Sequence, residues 1–351
     1  MIVLFTLYVL FCFAGCKFTG SKFNRNYISK ENTTAVNGIF TGLIIFGHFV
    51  QYYTEYSSWD TPYIEVRSFL GQMVVSLFFI YSGYGIFESC KAKGDAYITS
   101  FPKNRIPKII LHLDLAVLIF TGLFLLTGRE VGFLKFMLSL IGWEYIGNNN
   151  WFIFATLVFY LITFVSVCLF KGRKVLVLSA ITVLTVVYIL VIQNFKPTFW
   201  YNSALCYPFG MWFSYFKEKI DSAVMKNNLA YFITLFALLG LFIGVRFFWG
   251  GFGSLVTYLI SCILFGFLFI VLTMKLNFRN KALEWIGKHA FSIYMLQRIP
   301  MILLYDMGIL PKYPHMCFVV SFGVTLAVSA LFDKATGFID KKVFIGKKAV
   351  T

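Results

Sequence analysis

Apolar runs separated by short polar intervals fill almost the whole chain. The runs fall near 2–16, 36–53, 70–89, 107–127, 151–170, 174–193, 202–216, 228–248, 252–274, 289–307 and 315–332. A helix crosses a bilayer with roughly 17–25 residues at about 1.5 Å each. Most of the runs meet that length; the first and seventh are short. They are continuous rather than alternating, which argues against a transmembrane β-barrel. The pattern predicts an all-α, polytopic membrane helix bundle.

Composition agrees. Only 13% of the 351 residues are charged and 59% are hydrophobic, whereas a soluble domain carries roughly 25% charge. The net charge of +16 raises the question of nucleic acid, but the placement of the cations answers it. They concentrate in alternate loops: Lys17, Lys22, Arg25 and Lys30; Lys91, Lys93, Lys103, Arg105 and Lys108; Lys171, Arg173 and Lys174; Lys217, Lys219 and Lys226; Lys275, Arg279, Lys281 and Lys288; and Lys334 onward. The other loops hold only Arg67, Arg129, Lys135, Lys196, Arg246 and Lys312. By the positive-inside rule this puts Met1 outside and the C-terminus in the cytoplasm of a cell membrane. It divides the chain into 1–35, a hydrophobic span with a basic cytoplasmic segment; 36–332, the main membrane domain; and 333–351, a basic cytoplasmic tail.

Other signals are weaker. The first run ends Phe13-Ala14-Gly15-Cys16, close to a lipoprotein cleavage box, but no basic n-region precedes it, so a retained span is expected. Asn32-Thr33-Thr34 is a glycosylation sequon by pattern only, since it falls on the expected cytoplasmic side. The cysteines show no C-x-x-C pair and no Cys/His ligand spacing, so they read as small buried residues and no metal is expected. There is no phosphate-binding G-x-x-x-x-G-K-[ST] or G-x-G-x-x-G motif.

Chemistry concentrates at a few places. His48 lies in the 36–53 run, where an ionisable group costs about 2.5 kcal/mol or more if charged. At about 100° per residue Asn37, Thr41, Gln51 and Tyr52 share its azimuth, a polar stripe on a greasy helix, with the small pair Gly38 and Gly42 beside it. This is either a packed bundle histidine or a functional one. Ser82, Gly83 and Gly85 permit close helix contact in the third run. Lys103, Arg105 and Lys108 stand around Pro107 where the fourth run begins, a mouth suited to phosphates or simply to the membrane surface. Asp114 follows one or two turns later. Asn148-Asn149-Asn150-Trp151 opens the fifth run, as an interfacial anchor or a contact for a hydroxylated acceptor. Arg298, deep in the tenth run, needs a partner and faces the bundle interior.

Taken in order, these stretches resemble the integral-membrane acyltransferase family 3, which includes bacterial O-acetyltransferases of surface polysaccharides. The match is carried by Asn37-Gly38-Ile39 through Gly47-His48, Val75 through Tyr84, Lys103-Asn104-Arg105-Ile106-Pro107, Asn150-Trp151-Phe152, Pro208-Phe209-Gly210, and Ile286-Gly287 through Ser292-Ile293-Tyr294. The resemblance implies a ten-span acyltransferase core over 36–332, with 1–16 as one extra N-terminal span. The family usually has a basic residue where Asn37 stands, so Lys30 or Arg105 would take over anion binding. It often has a histidine where Gln297 stands, which leaves His48 as the base inside the membrane.

The expected activity is acyl transfer from cytoplasmic acetyl-CoA or another acyl-CoA to a hydroxyl of a lipid-linked or surface saccharide. His48 would be the general base, with Ser82 and Arg298 also catalytic. Lys103, Arg105 and Lys108 would hold the CoA phosphates, and Asn37, Tyr84, Asn150 and Trp151 would contact substrate. The alternative is a transporter of a small acid or glycolipid precursor, which polar residues at mid-bundle also suit.

Overall fold

The computed structural model describes residues 1–53, 55–249 and 253–345, residue 345 by its backbone alone. Residues 346–351 of the basic tail lie outside the described residues. The fold is an all-α membrane bundle. Among the described residues seven helical stretches are long and apolar enough to cross a bilayer: Ser58–Lys93, Ala96–Leu126, Trp151–Leu169, Lys174–Ile192, Asn228–Phe248, Leu255–Thr273 and Pro314–Phe344.

In chain order, α1 (Ile2–Phe13) leads through β1 (Lys17–Phe18) to α2 (Lys30–Phe49). Next come α3 (Thr61–Leu70), α4 (Met73–Lys93), the short α5 (Ala96–Thr99) and α6 (Phe101–Asn104), and α7 (Ile106–Leu126). The amphipathic α8 (Phe133–Leu140) precedes α9 (Trp151–Leu169), α10 (Lys174–Ile192), α11 (Cys206–Val224), α12 (Asn228–Ile243) and α13 (Leu255–Thr273). After β2 (Leu276–Asn277) comes α14 (Lys281–Lys288), and the tenth run is broken into α15 (Ala290–Leu296) and α16 (Arg298–Asp306). The long α17 (Pro314–Asp340) follows and passes through residue 332 without a break.

Local chemistry sets several of these boundaries. Ser29 Oγ accepts from Asn32 N at 3.4 Å and starts α2 well before its apolar stretch. Pro107 occupies the first turn of α7, where its missing N–H costs nothing. Gly94, at φ +72°, ends α4. Because α2 starts early and stops at Phe49, His48 sits in its last turn rather than mid-helix.

Two crossings bring helices to backbone contact. A Cβ built on Gly38 (α2) would overlap the Leu283 carbonyl of α14, and one on Gly287 (α14) would overlap the Thr34 carbonyl of α2. The same reciprocity joins α4 to α11: Gly83 faces the Tyr207 carbonyl and Gly210 faces the Ile80 carbonyl. Lipid gives helices no hydrophobic reason to associate, so close packing through small residues is what holds such pairs. Gly42 serves a different neighbour. The Tyr8 ring of α1 fills the space above it, and Tyr8 Oη donates to the Ile39 carbonyl at 2.8 Å.

Contacts at the two ends sort the loops. At one end β1 pairs antiparallel with β2, Tyr27 Oη donates to Asp221 Oδ1 at 2.6 Å, and Lys108 pairs with Asp340 at 2.6 Å. The buried Lys275 gathers the Gly20 and Lys22 carbonyls and Asn228 Oδ1 over the Phe23 ring; burial lowers its pKa. This basic end carries the cation-rich loops. At the far end Asp60 receives the Met1 nitrogen and the Tyr53 hydroxyl, and Arg129 pairs with Asp306.

The crossings make a stability prediction. Gly38→Ala and Gly210→Ala force a methyl into a backbone carbonyl and should each cost about 1–3 kcal/mol by overpacking. Gly47→Ala, with open space around it, should be neutral. Melting of the detergent-purified variants checks this; equal melting of all three would refute it.

Candidate active site

Two cavities lie end to end inside the bundle. The basic-side chamber, about 320 Å³, is lined mostly by apolar groups, with Ser82, Phe78, Ile109, Phe152, Phe291 and Lys288 among them. The far-side chamber, about 300 Å³, is polar by comparison and contains His48, Gln51, Arg67, Gln72, Trp151 and Asn202. Ile44, Val75 and Tyr294 line both and form the wall between them.

His48 opens on the far-side chamber, where Asn149 Nδ2 lies 2.9 Å from its Nε2. An amide nitrogen only donates, so Nε2 is the accepting nitrogen and the ring proton belongs on Nδ1. The same Asn149 turns its Oδ1 to Arg298 Nη1 at 3.4 Å. Asn149 therefore links the histidine to the guanidinium.

Arg298 begins α16, at the turn that breaks the tenth run. Among the described residues its charge meets neutral groups: Gln51 Oε1, Asn149 Oδ1 and the Gly147 carbonyl, with the Tyr52 ring 5.6 Å away. Its Nε is buried without an acceptor among the described residues. The nearby Asp306 pairs with Arg129 instead. A guanidinium held by neutral groups at such depth is costly as structure and keeps its full field for a ligand. Broken helices of this kind are tolerated where they line a cavity.

The remaining expected residues are dispersed. Ser82 lines the basic-side chamber, across the wall from His48. Asn37 shares the azimuth of His48 but lines neither chamber, and its Oδ1 is buried without a partner. Tyr84 packs on Phe213, with ring centroids 6.1 Å apart, and also lines neither. Lys103 and Arg105 are exposed at the basic end. Arg105 lies over the Tyr97 and Phe101 rings at 5.3 Å and near Tyr160, which lines the chamber behind it. Lys108 is engaged by Asp340, which also meets His112 Nε2 at 3.1 Å. Asp114 carries a buried Oδ1 without a partner.

The asparagine triplet divides its labour. Asn148 Oδ1 accepts from Ile146 N at 3.1 Å, and Asn148 Nδ2 donates to Asn150 Oδ1 at 2.5 Å. Asn150 Nδ2 donates to the Ser139 and Glu144 carbonyls. These two bind the loop between α8 and α9 to itself and leave only Asn149 for the site. Trp151 lines the far-side chamber and packs edge-on against Phe79, Phe152 and Phe199.

Sequence reasoning did not single out Asn149, Lys288, Tyr294 or Arg67 as site residues. Asn149 lies in a triplet whose members look alike until the loop is folded. Lys288 counted as one more loop cation, and Tyr294 as part of a motif.

These features describe a polytopic membrane protein with an internal polar site between two chambers. The acyltransferase domain family, of the acyltransferase 3 type, matches residues 35–334, and the chain belongs to that family. It is accordingly a multi-pass membrane acyltransferase. No curated protein and no solved structure matches the chain.

The triplet predicts a split between stability and site. Asn150→Ala takes the side-chain donor from the Glu144 carbonyl and the acceptor from Asn148 Nδ2, and should cost about 1–3 kcal/mol. Asn149→Ala, whose contacts are all within the site, should melt within about 0.5 kcal/mol of wild type. Detergent melting curves separate the two, and an equal loss in both would refute the division.

Proposed function

We propose that this acyltransferase moves an acyl group, acetyl in the first instance, from acyl-CoA to a hydroxyl of a lipid-linked or surface saccharide. The observation that carries this reading is the pair of dissimilar chambers meeting at one wall beside His48. An apolar chamber behind a basic mouth suits a thioester arm whose phosphates stay outside. Arg105 and Lys103 are free of carboxylate partners there and would bind those phosphates, with Lys288 at the chamber wall. Lys108 would join them only by giving up Asp340. A polar chamber holding His48 and amides suits a hydroxylated acceptor.

The chemistry follows from the tautomer. The acceptor hydroxyl displaces the Asn149 amide from His48 Nε2 and gives that nitrogen its proton. The oxygen attacks the thioester carbonyl at the wall. The C–S bond breaks, and the departing sulfur takes the proton back from the imidazolium. One ester and one free thiol result. Arg298, held by Asn149 Oδ1 and Gln51 Oε1, would place positive charge near the developing oxyanion, which is ordinarily a large part of such catalysis. Ser82 would position the thioester arm from the basic side. In this reading the basic end faces the cytoplasm, where acyl-CoA resides.

The test is release of free CoA from labelled acetyl-CoA by membranes supplied with crude envelope glycolipid. His48→Ala should lose all of it at matched protein level. Asn149→Ala should retain roughly 1% or less, because Arg298 loses the Asn149 Oδ1 that helps hold it in place. Ala290→Trp should block the basic-side chamber and abolish consumption with the fold intact. Full turnover by His48→Ala would sink the assigned base. No consumption by wild type with any acyl-CoA would move the protein to the transporter reading, checked by vesicle uptake.

A further inference from the structure

The far-side chamber is lined by a guanidinium that the reaction above does not use. Arg67 lies in the last turn of α3 and lines the chamber together with His48. Among the described residues no hydrogen bond, ion pair or ring contact engages it, and no Asp or Glu lines the chamber. The carboxylates closest in sequence are turned elsewhere: Asp60 holds the Met1 nitrogen and Tyr53, and Glu65, two residues away on α3, lies on another face of the helix.

A second observation comes from the same wall. Asn202 Oδ1 and Gln72 Oε1 are buried with no donor among the described residues, and both residues line the chamber. Buried amides in native proteins are nearly always paired, so these two have a vacancy that a polar ligand fills without breaking any internal bond. The helix dipole explains a cation near the end of α3 but explains neither the two unpaired amides nor a chamber free of acids. A planar guanidinium with all its donors unspent selects a carboxylate or phosphate.

Resting on the acyltransferase reading of this chamber, we infer that the acceptor is an anionic saccharide. Arg67 binds its carboxylate or phosphate. The Asn202 and Gln72 amides take neighbouring hydroxyls, and the hydroxyl to be acylated lies against His48. The acceptor is thereby anchored at one end and reacts at the other.

The test uses the full chain purified in detergent, with glucuronate, glucose 1-phosphate and glucose as probes, and reads binding by calorimetry without any transfer. Wild type should bind at least one of the two anions about tenfold more tightly than glucose. Which anion wins distinguishes a uronate from a sugar phosphate. Arg67→Gln should reduce the preferred anion to the affinity of glucose, and Arg67→Lys should keep part of the preference. Wild type binding glucose as tightly as both anions would overturn the inference, and that measurement needs no variant. So would an Arg67→Gln protein, folded by its melting curve, that keeps the anion preference. Anion binding by a wild type that consumes no acyl-CoA would instead overturn acyl transfer and leave the anion site standing.

Discussion

Everything in this bundle depends on two pairs of glycines pressed against carbonyl oxygens. Gly38 and Gly287 bind α2 to α14, and Gly83 and Gly210 bind α4 to α11. At such separations the backbones themselves touch, and the weak Cα–H···O contacts that accompany them add up along the crossing. The crossing also sets an angle. Ten residues after Gly38, His48 points roughly a quarter turn away from α14, which directs it at the far-side chamber. A side chain deep in lipid has no solvent to orient it, so the helix that carries it must be fixed by its neighbours.

The sequence made the fold class plain, because continuous apolar runs have few other solutions. It also made part of the site plain. The rotation of an α-helix put Gln51 and Tyr52 on the azimuth of His48; α2 stops at Phe49, so the turn after it, and not the helix, brings both to Arg298. The same rotation was uninformative about distance along the axis: Asn37 shares the azimuth but lies roughly 16 Å away. Loop geometry was not legible at all. Which of three successive asparagines reaches His48 is decided by how the loop between α8 and α9 bonds to itself, through partners up to eleven residues apart. The break at Gln297 was hidden for a related reason. Hydropathy averages over a window and does not register a single turn, although that turn is what brings the Arg298 guanidinium to the site.

Long-range pairing accounts for the rest. Lys108 looked like its neighbours Lys103 and Arg105, but Asp340, at the other end of the domain in sequence, claims it. A second pairing of this kind stands at the basic end, where Asp333 of α17 receives both His289 and Ser292. It ties α15 and the turn that precedes it to the long last helix, so α14 and α15 hold their angle despite the turn between them. A charge map locates cations but not their engagement, and engagement decides which of them are free to meet a ligand.

Helix α1 lies outside residues 35–334, the extent of the family match, yet its Phe5 forms part of the far-side chamber and packs against Phe46 and Tyr63. The reacting groups and one wall of their enclosure therefore have separate origins in the chain. That makes the wall exchangeable. A different first helix, seated in the same groove by a tyrosine over Gly42, would reshape the chamber and leave His48, Asn149 and Arg298 where they are. Variation in what such a protein accepts can accumulate in a short leading segment, at a site where changes do not threaten the chemistry.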